Sequence, residues 1–259
     1  MLSLCETGSE ADVKKYHLNW FGNKKIDGCR CLAICENGNV KLVGRSGTDY
    51  TNKFLEVVEE LKEFKGIFDA EIVCEDFDKT ASRVHTENKL KSSLLAKEYP
   101  AKLMIFDVLN WLGTDLRGEK LSKRVEILTK IGVETKKHIE IVNYTKDLIN
   151  LWASALKEGW EGIIIKSPES SYIPKRTHSW LKIKCLKHKD IDFTSYEINP
   201  AGIKLISGIG VVCQCSGSQS LAVKKLIDEK GVASVEVRYL NETSSGALRM
   251  PTFAKLNED

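Results

Sequence analysis

The amino-acid sequence predicts an α+β protein in two unequal parts: antiparallel sheets flanked by helices, then a small β-barrel. Three observations predict it. Apolar runs of strand length, GIFDAEIVCED (66–76), AKLMIFDVL (101–109), EGIIIK (161–166) and SWLKIK (179–184), alternate with stretches of helical spacing. Glycines at Gly66, Gly132 and Gly159 stop those helical stretches. Beyond residue 187 several short strands surround one helix within roughly 70 residues, which suits a small Greek-key barrel.

Taken in order, CRCLAICENGNVKLVGRSG (29–47) reads as two strands joined by an Asn-Gly turn at Asn37 and Gly38. Phe54, Val57, Val58 and Leu61 mark a first helix, and Leu121, Val125 and Leu128 a second. Leu148, Leu151, Trp152, Ala155 and Leu156 mark a third, with Trp152 expected in the core. In the second part, GIKLISGIGVVCQCS reads as a bent strand pair interrupted by Gly208 and Gly210. SLAVKKLIDEKG reads as a helix ending at Gly231, with SVEVRYL and ALRMPTF as two further strands around a Ser/Gly turn. The arrangement suits the OB-fold, and the expected domains are 1–187 and 188–259.

Composition narrows the class. The 259 residues are 42% hydrophobic with only 5 Pro and 18 Gly, which excludes collagenous and Pro/Gly-rich disordered chains. No apolar run approaches the roughly 20 residues of a bilayer span. The first twenty residues lack the apolar core of a signal peptide, so a soluble intracellular protein without a membrane partner is expected. Eight cysteines include two C-x-C pairs, Cys29 with Cys31 and Cys213 with Cys215, but no C-x-x-C and no His cluster. Strand alternation is taken to separate the thiols of each pair, and reduced, mostly buried cysteines are expected rather than zinc.

Charge is informative in its distribution. The net charge is only +3, yet residues 174–189, PKRTHSWLKIKCLKHK, hold six Lys/Arg, two His and no acid. A basic strip containing a Trp fits a phosphate-rich partner, and a solvated basic strand fits equally well. Trp180 is the one tryptophan expected near a substrate. The five histidines show no metal spacing and read as surface or phosphate-proximal groups.

The most specific pattern is Lys25-Ile26-Asp27-Gly28-Cys29-Arg30. Downstream lie Phe68-Asp69-Ala70-Glu71, Phe106 in IFDVL, Glu161 and Lys166 bounding EGIIIK, Lys182 and Lys184 in WLKIK, and Arg249 in RMPTF. Strand alternation puts Lys182 and Lys184 on one face, with Leu181 and Ile183 on the other.

In this order the elements resemble the six motifs of the covalent nucleotidyltransferases: ATP-dependent DNA ligases, RNA ligases and mRNA capping enzymes. The resemblance runs from about residue 20 to the C-terminus. LRMPTFAKLNED is similar to the segment that closes the OB domain of DNA ligases, which favours a minimal ATP-dependent DNA ligase. It ranks RNA joining or capping second and a non-catalytic nucleic-acid-binding protein last, since Lys25 and Glu161 are both present. Only 24 residues precede Lys25, so no additional N-terminal DNA-binding domain is expected. The first part is then an adenylation, or nucleotidyltransferase, domain.

The resemblance implies site roles. Lys25 attacks the α-phosphate of ATP, forms a phosphoramidate with AMP and releases pyrophosphate. Lys182, Lys184 and Arg30 favour loss of the lysine proton and stabilise developing phosphate charge. Phe106 stacks on adenine, Arg30 and Glu71 engage the ribose, and Lys166 joins the nucleotide-binding set. Glu161, Glu71 and Asp27 supply oxygen ligands for Mg²⁺, and Asp27 also serves the later DNA-dependent steps. Arg45, Arg176 and Lys175 grip phosphates near the nick. Arg249 and Asp259 resemble the pair that orients pyrophosphate. Lys24 is a neighbouring decoy, because Lys25 alone has the register to Asp27, Gly28 and Arg30. The expected partner is nicked double-stranded DNA, bound in a salt-dependent way by a monomer with no obligate protein partner.

Overall fold

The computed structural model describes residues 2–133, 136–243 and 246–257, with the backbone alone at Lys89. The chain divides into two compact units, Met1–Ile183 and Lys184–Asp259. The first unit runs β1 (Leu4–Thr7), α1 (Glu10–Tyr16), β2 (Phe21–Lys24), the hairpin β3 (Cys29–Glu36) and β4 (Asn39–Gly44), α2 (Leu55–Leu61), β5 (Gly66–Val73), α3 (Phe77–His85) and α4 (Lys89–Glu98). It continues with β6 (Lys102–Trp111), β7 (Thr114–Asp115), α5 (Leu121–Leu128), β8 (Ile139–Ile141), α6 (Leu148–Glu158), β9 (Gly162–Lys166) and β10 (Arg176–Lys184).

Two sheets organise this unit among the described residues, in the orders β1-β10-β9-β2 and β4-β3-β5-β6-β7, with β8 beside β6. The β3–β4 hairpin turns at Asn37 and Gly38, both at positive φ (50° and 79°), the backbone that Asn-Gly adopts at little steric cost. One face of the larger sheet buries Cys31, Ala33, Phe68, Ile72 and Leu103 against α2, whose Val57 and Leu61 point inward. The N-cap of α6 is Asp147, which accepts from Asn150 N at 3.1 Å, and its C-cap is Gly159 in the left-handed region.

The second unit contains β11 (Lys187–Asn199), β12 (Gly202–Ser207), β13 (Val212–Cys215), α7 (Ser218–Lys230), β14 (Ala233–Tyr239) and β15 (Thr252–Leu256). Its strands are ordered β13-β12-β11-β14-β15, every neighbour antiparallel, and β13 also approaches β15. The sheet therefore curls on itself, as in an OB-fold, around Phe193, Leu205, Cys215, Val223 and Val235. The fold class is the α+β arrangement that the sequence implies.

Several local expectations need correction. Only the last two residues of ALRMPTF, Thr252 and Phe253, are strand, where β15 begins, because Leu240 N donates to Arg249 O and Arg249 N to Asn241 O, turning the preceding segment into a loop. Trp152 is half-buried and not part of the core, since α6 turns Leu148 and Ala155 inward instead. Residues i and i+2 of a strand share a face, so a C-x-C pair is not split by alternation. Cys213 and Cys215 are both buried in one core. The case against a metal is the lack of further ligands: no cluster of three His, Cys, Asp or Glu able to hold one occurs among the described residues. All eight cysteines are free thiols. His17 and His138 are not plain surface groups: the His17 Nδ1 is buried, and the His138 Nδ1 lies 2.8 Å from Ala101 O. No helix among the described residues is long and apolar enough to cross a membrane.

Candidate active site

The pairing of β2 with β9 ends at Lys24 opposite Ile163, and Lys25 N continues it by donating to Gly162 O at 2.9 Å. This register sets Lys25 beside Glu161, and the two form an ion pair with side chains only 21% and 7% exposed. Alternation sends Lys24 the other way, over the Trp160 ring at 4.7 Å. Gly28 follows because a Cβ there would lie 2.4 Å from Ile72 O, so the loop can pass this close to β5 only without a side chain.

Arg30 of β3 sits directly opposite Glu71 of β5. Its guanidinium donates to the Asp69 carboxylate through Nε at 2.9 Å and Nη2 at 2.6 Å. Asp69 also accepts from the Tyr172 hydroxyl at 2.7 Å, and that hydroxyl accepts from Ser3 N at 3.2 Å. Burial pushes the Glu71 carboxyl up to about 8, against the pull of the Lys25 and Arg30 charges.

Phe106 reaches the same pocket by an irregularity. The register of β5 with β6 slips where Asp69 faces Asp107 and Ala70 faces Ile105, leaving Phe106 as the extra residue of a β-bulge. Its ring is half-buried beside Leu109, Tyr172 and Trp180, with Arg30 Cζ 5.3 Å from its centroid. Trp180 is 1% exposed, so it lines the wall behind Phe106 and is closed to direct contact with a substrate. Lys166, the last residue of β9, is buried behind the same ring, 4.6 Å from its centroid.

On β10, Leu181 and Ile183 are buried while Lys182 keeps partial exposure on the opposite face. Lys182, Lys25, Arg30 and Lys166 all act electrostatically on the Cys5 thiol of β1, whose net shift is upward because burial dominates. Asp27 lies half-buried in the loop between β2 and β3.

Lys25, Arg30, Glu71, Phe106 and Glu161 thus converge on one pocket, with Lys166 behind the Phe106 ring and Lys182 within electrostatic range of the neighbouring Cys5. Arg45 is exposed in the turn after β4, and Lys175 is exposed just before β10. Arg176 is exposed but not idle, since its Nη1 donates to Cys5 O at 2.6 Å and so ties β10 to β1. Lys184 and Arg249 belong to the second unit, where Lys184 Nζ lies 3.5 Å from Met250 Sδ. Asp259 lies outside the described residues.

Sequence reading missed Asp69, Tyr144, Tyr172 and Cys5 as neighbours of the site. For Asp69 a signal existed: it stands two residues before Glu71 on one strand, hence on the same face. The others reach the pocket through tertiary contacts that no local pattern encodes. Chemically, the arrangement offers an amine beside a carboxylate, a fixed guanidinium, further cations and an aromatic ring. Those groups suit a phosphate ester that carries a flat base.

Mainly antiparallel sheets, with parallel pairs at β1–β10 and β6–β8, followed by a curled five-stranded unit, form a fold shared with solved DNA ligases. The chain superposes on a Lig E DNA ligase with a TM-score of 0.70 at 16% identity, covering 99% of this chain and 98% of that one. On mycobacterial DNA ligase D complexed with ATP and MES the TM-score is 0.60 at 22% identity, over 100% and 95% of the two chains. The chain belongs to the ATP-dependent DNA ligase domain family, whose model matches residues 1–184. Among relatives, the DNA ligase of Pyrobaculum neutrophilum is 31% identical over 175 residues, which is 62% of this chain and 30% of that protein. The chain spans about 30% of the length of the curated relatives it matches.

Proposed function

We propose that the chain is an ATP-dependent DNA ligase that seals 5′-phosphate/3′-OH nicks in duplex DNA, through a lysyl-AMP on Lys25 and then a DNA-adenylate. The observation that carries this reading is the Lys25–Glu161 ion pair at the pocket shared by Arg30, Glu71 and Phe106. Family membership and the DNA ligase relatives support it.

In the first step Lys25 Nζ attacks the α-phosphorus of ATP, the bond to the β-phosphate oxygen breaks, and pyrophosphate leaves. The ammonium must first give up a proton, and Glu161 stands as an acceptor in contact with it. Phe106 stacks on the adenine, and Arg30, held in one plane by Asp69, engages the ribose with Glu71. Lys182 and Lys184 offset phosphate charge. AMP then passes to the 5′-phosphate of the nick, and the 3′-OH displaces it. Arg45, Arg176 and Lys175 hold phosphates of the DNA, and Arg249 of the OB-type domain orients pyrophosphate. The enzyme acts as a monomer.

Mg²⁺ fits the carboxylates here in a shared mode. Glu71 and Glu161 lie within electrostatic range of each other, and burial raises the Glu71 carboxyl, two effects that a nearby cation would offset. With no cluster of three such ligands among the described residues, one or two of these carboxylates together with substrate phosphates and waters would hold the metal. Bound there, the metal would neutralise charge on the transferring phosphate.

The test is incubation with Mg²⁺, ATP and a duplex carrying one 5′-phosphorylated nick, read on a denaturing gel. An ATP-dependent joined strand is expected. Covalent AMP on the protein without joining would move the substrate to RNA, and absence of both would overturn the reading.

A further inference from the structure

Phe106 is backed by a buried ammonium. Lys166 is 2% exposed, and its Nζ lies 4.0 Å from the ring centroid of Trp180, 4.6 Å from that of Phe106 and 5.3 Å from that of Tyr144. The same Nζ donates to the Tyr144 hydroxyl at 2.8 Å, and that hydroxyl donates to Phe106 O at 2.5 Å. Phe106 is therefore gripped twice, through its ring and through its carbonyl, by a chain that starts at one amine.

An ammonium stripped of water needs compensation. Here three aromatic rings and one hydroxyl supply it. The carboxylates of Asp107 and Asp69 also act on it, but each is already committed to an arginine, Asp107 to Arg124 and Asp69 to Arg30. Arg30 opposes the ammonium, the Cys5 thiol is the remaining titratable neighbour, and burial pulls the lysine down to about 8. At this depth the amine is closed off from an incoming phosphate. Its open route of action is the half-exposed ring in front of it.

We infer that Lys166 is a positioning residue for the nucleotide base, acting through Phe106 and the Tyr144 relay and not by contact with phosphates. This rests on the adenylation chemistry proposed above. A cation near the ring draws π-density from it, which favours stacking with an electron-rich purine. The double grip also removes ring freedom that binding would otherwise have to freeze.

The test separates binding from chemistry. In a Lys25→Ala background, where no AMP transfer occurs, ATP binding is measured by equilibrium dialysis with and without Lys166→Met. In the otherwise native chain, the KM for ATP and the maximal rate of self-adenylation are measured for Lys166→Met, Lys166→Arg and Tyr144→Phe. Expected are a roughly tenfold loss of ATP affinity for Lys166→Met with less than about twofold change in maximal rate, and partial recovery in Lys166→Arg. Tyr144→Phe, which removes only a hydroxyl, is expected to lose less affinity and keeps the inference testable should Lys166→Met fail to fold. Unchanged affinity with a reduced maximal rate would show the amine on the phosphates and overturn the inference. If the Lys25→Ala chain binds no ATP and the native chain takes up no AMP, the functional reading itself falls.

Discussion

Arg30 and Asp69 form a two-point hydrogen-bonded pair, at 2.9 and 2.6 Å, on a carboxylate that has no exposed surface. The same carboxylate takes the Tyr172 hydroxyl at 2.7 Å. One buried side chain therefore orients the guanidinium facing the pocket and anchors the segment before β10.

Removing that carboxylate leaves a buried cation without its partner, a change that costs about 3–5 kcal/mol. Asp69→Ala is expected to lower stability by that order in urea unfolding and to reduce AMP labelling in the folded fraction. Asp69→Asn keeps one acceptor and should lose less. Equal stability of Asp69→Ala and the native chain would contradict the pairing.

Gly28→Ala tests the close passage of the motif loop against β5. A Cβ 2.4 Å from Ile72 O forces the backbone to move, because the obstacle is itself backbone. A displacement of about 1 Å at a reacting group costs on the order of 100-fold in rate. The expected outcome is self-adenylation reduced by that order, followed with radiolabelled ATP, while far-UV circular dichroism stays native.

Lys25→Ala is expected to abolish covalent AMP labelling and sealing together, with part of the DNA affinity retained in gel-shift assays. Labelling that persists in this variant would move the nucleophile elsewhere, Lys24 being the nearest alternative despite its orientation toward Trp160.

Stability should vary with pH in two opposite limbs. Glu71 is raised from 4.5 to about 8 on folding, so between those values the native chain holds more protons than the unfolded one, and stability falls as pH rises. Lys166 is lowered from 10.5 to about 8, so above that value the unfolded chain holds more protons, and stability rises again. By themselves these two groups place a minimum near pH 8 in thermal unfolding of the nucleotide-free protein, and above about 9 the thiols of Cys29, Cys35 and Cys213, all raised by burial, act against the Lys166 limb. Glu71→Gln should flatten the lower limb and Lys166→Met the upper one.

Much of the fold was legible in the chain itself, for local reasons. The Asn37-Gly38 turn, the Gly159 helix stop and the strand-length runs around Phe68, Ile105 and Ile163 are short-range signals, and the structure contains an element at each. Helices α1, α3 and α4 escaped because their apolar positions are few, although Asp76 and Asn88 cap the last two by accepting from Lys79 N and Lys91 N. Side-chain orientation on β10 is readable because alternation is geometric, and the same period of two puts both thiols of a strand's C-x-C pair on one face.

The sequence by itself determined the residue types of the pocket, their order, and the separation into a larger α+β part and a curled β part. Strand period, turn chemistry and motif spacing are properties of neighbouring residues, so one chain suffices to read them. Only the tertiary structure decided that Glu161 meets Lys25, that a bulge in β6 turns Phe106 toward Arg30, and that Lys166 is caged by Trp180 and Tyr144. Those contacts join residues from separate strands and loops. They arise because the sheets must bury their faces together, and no local period records which side chains that burial will bring face to face.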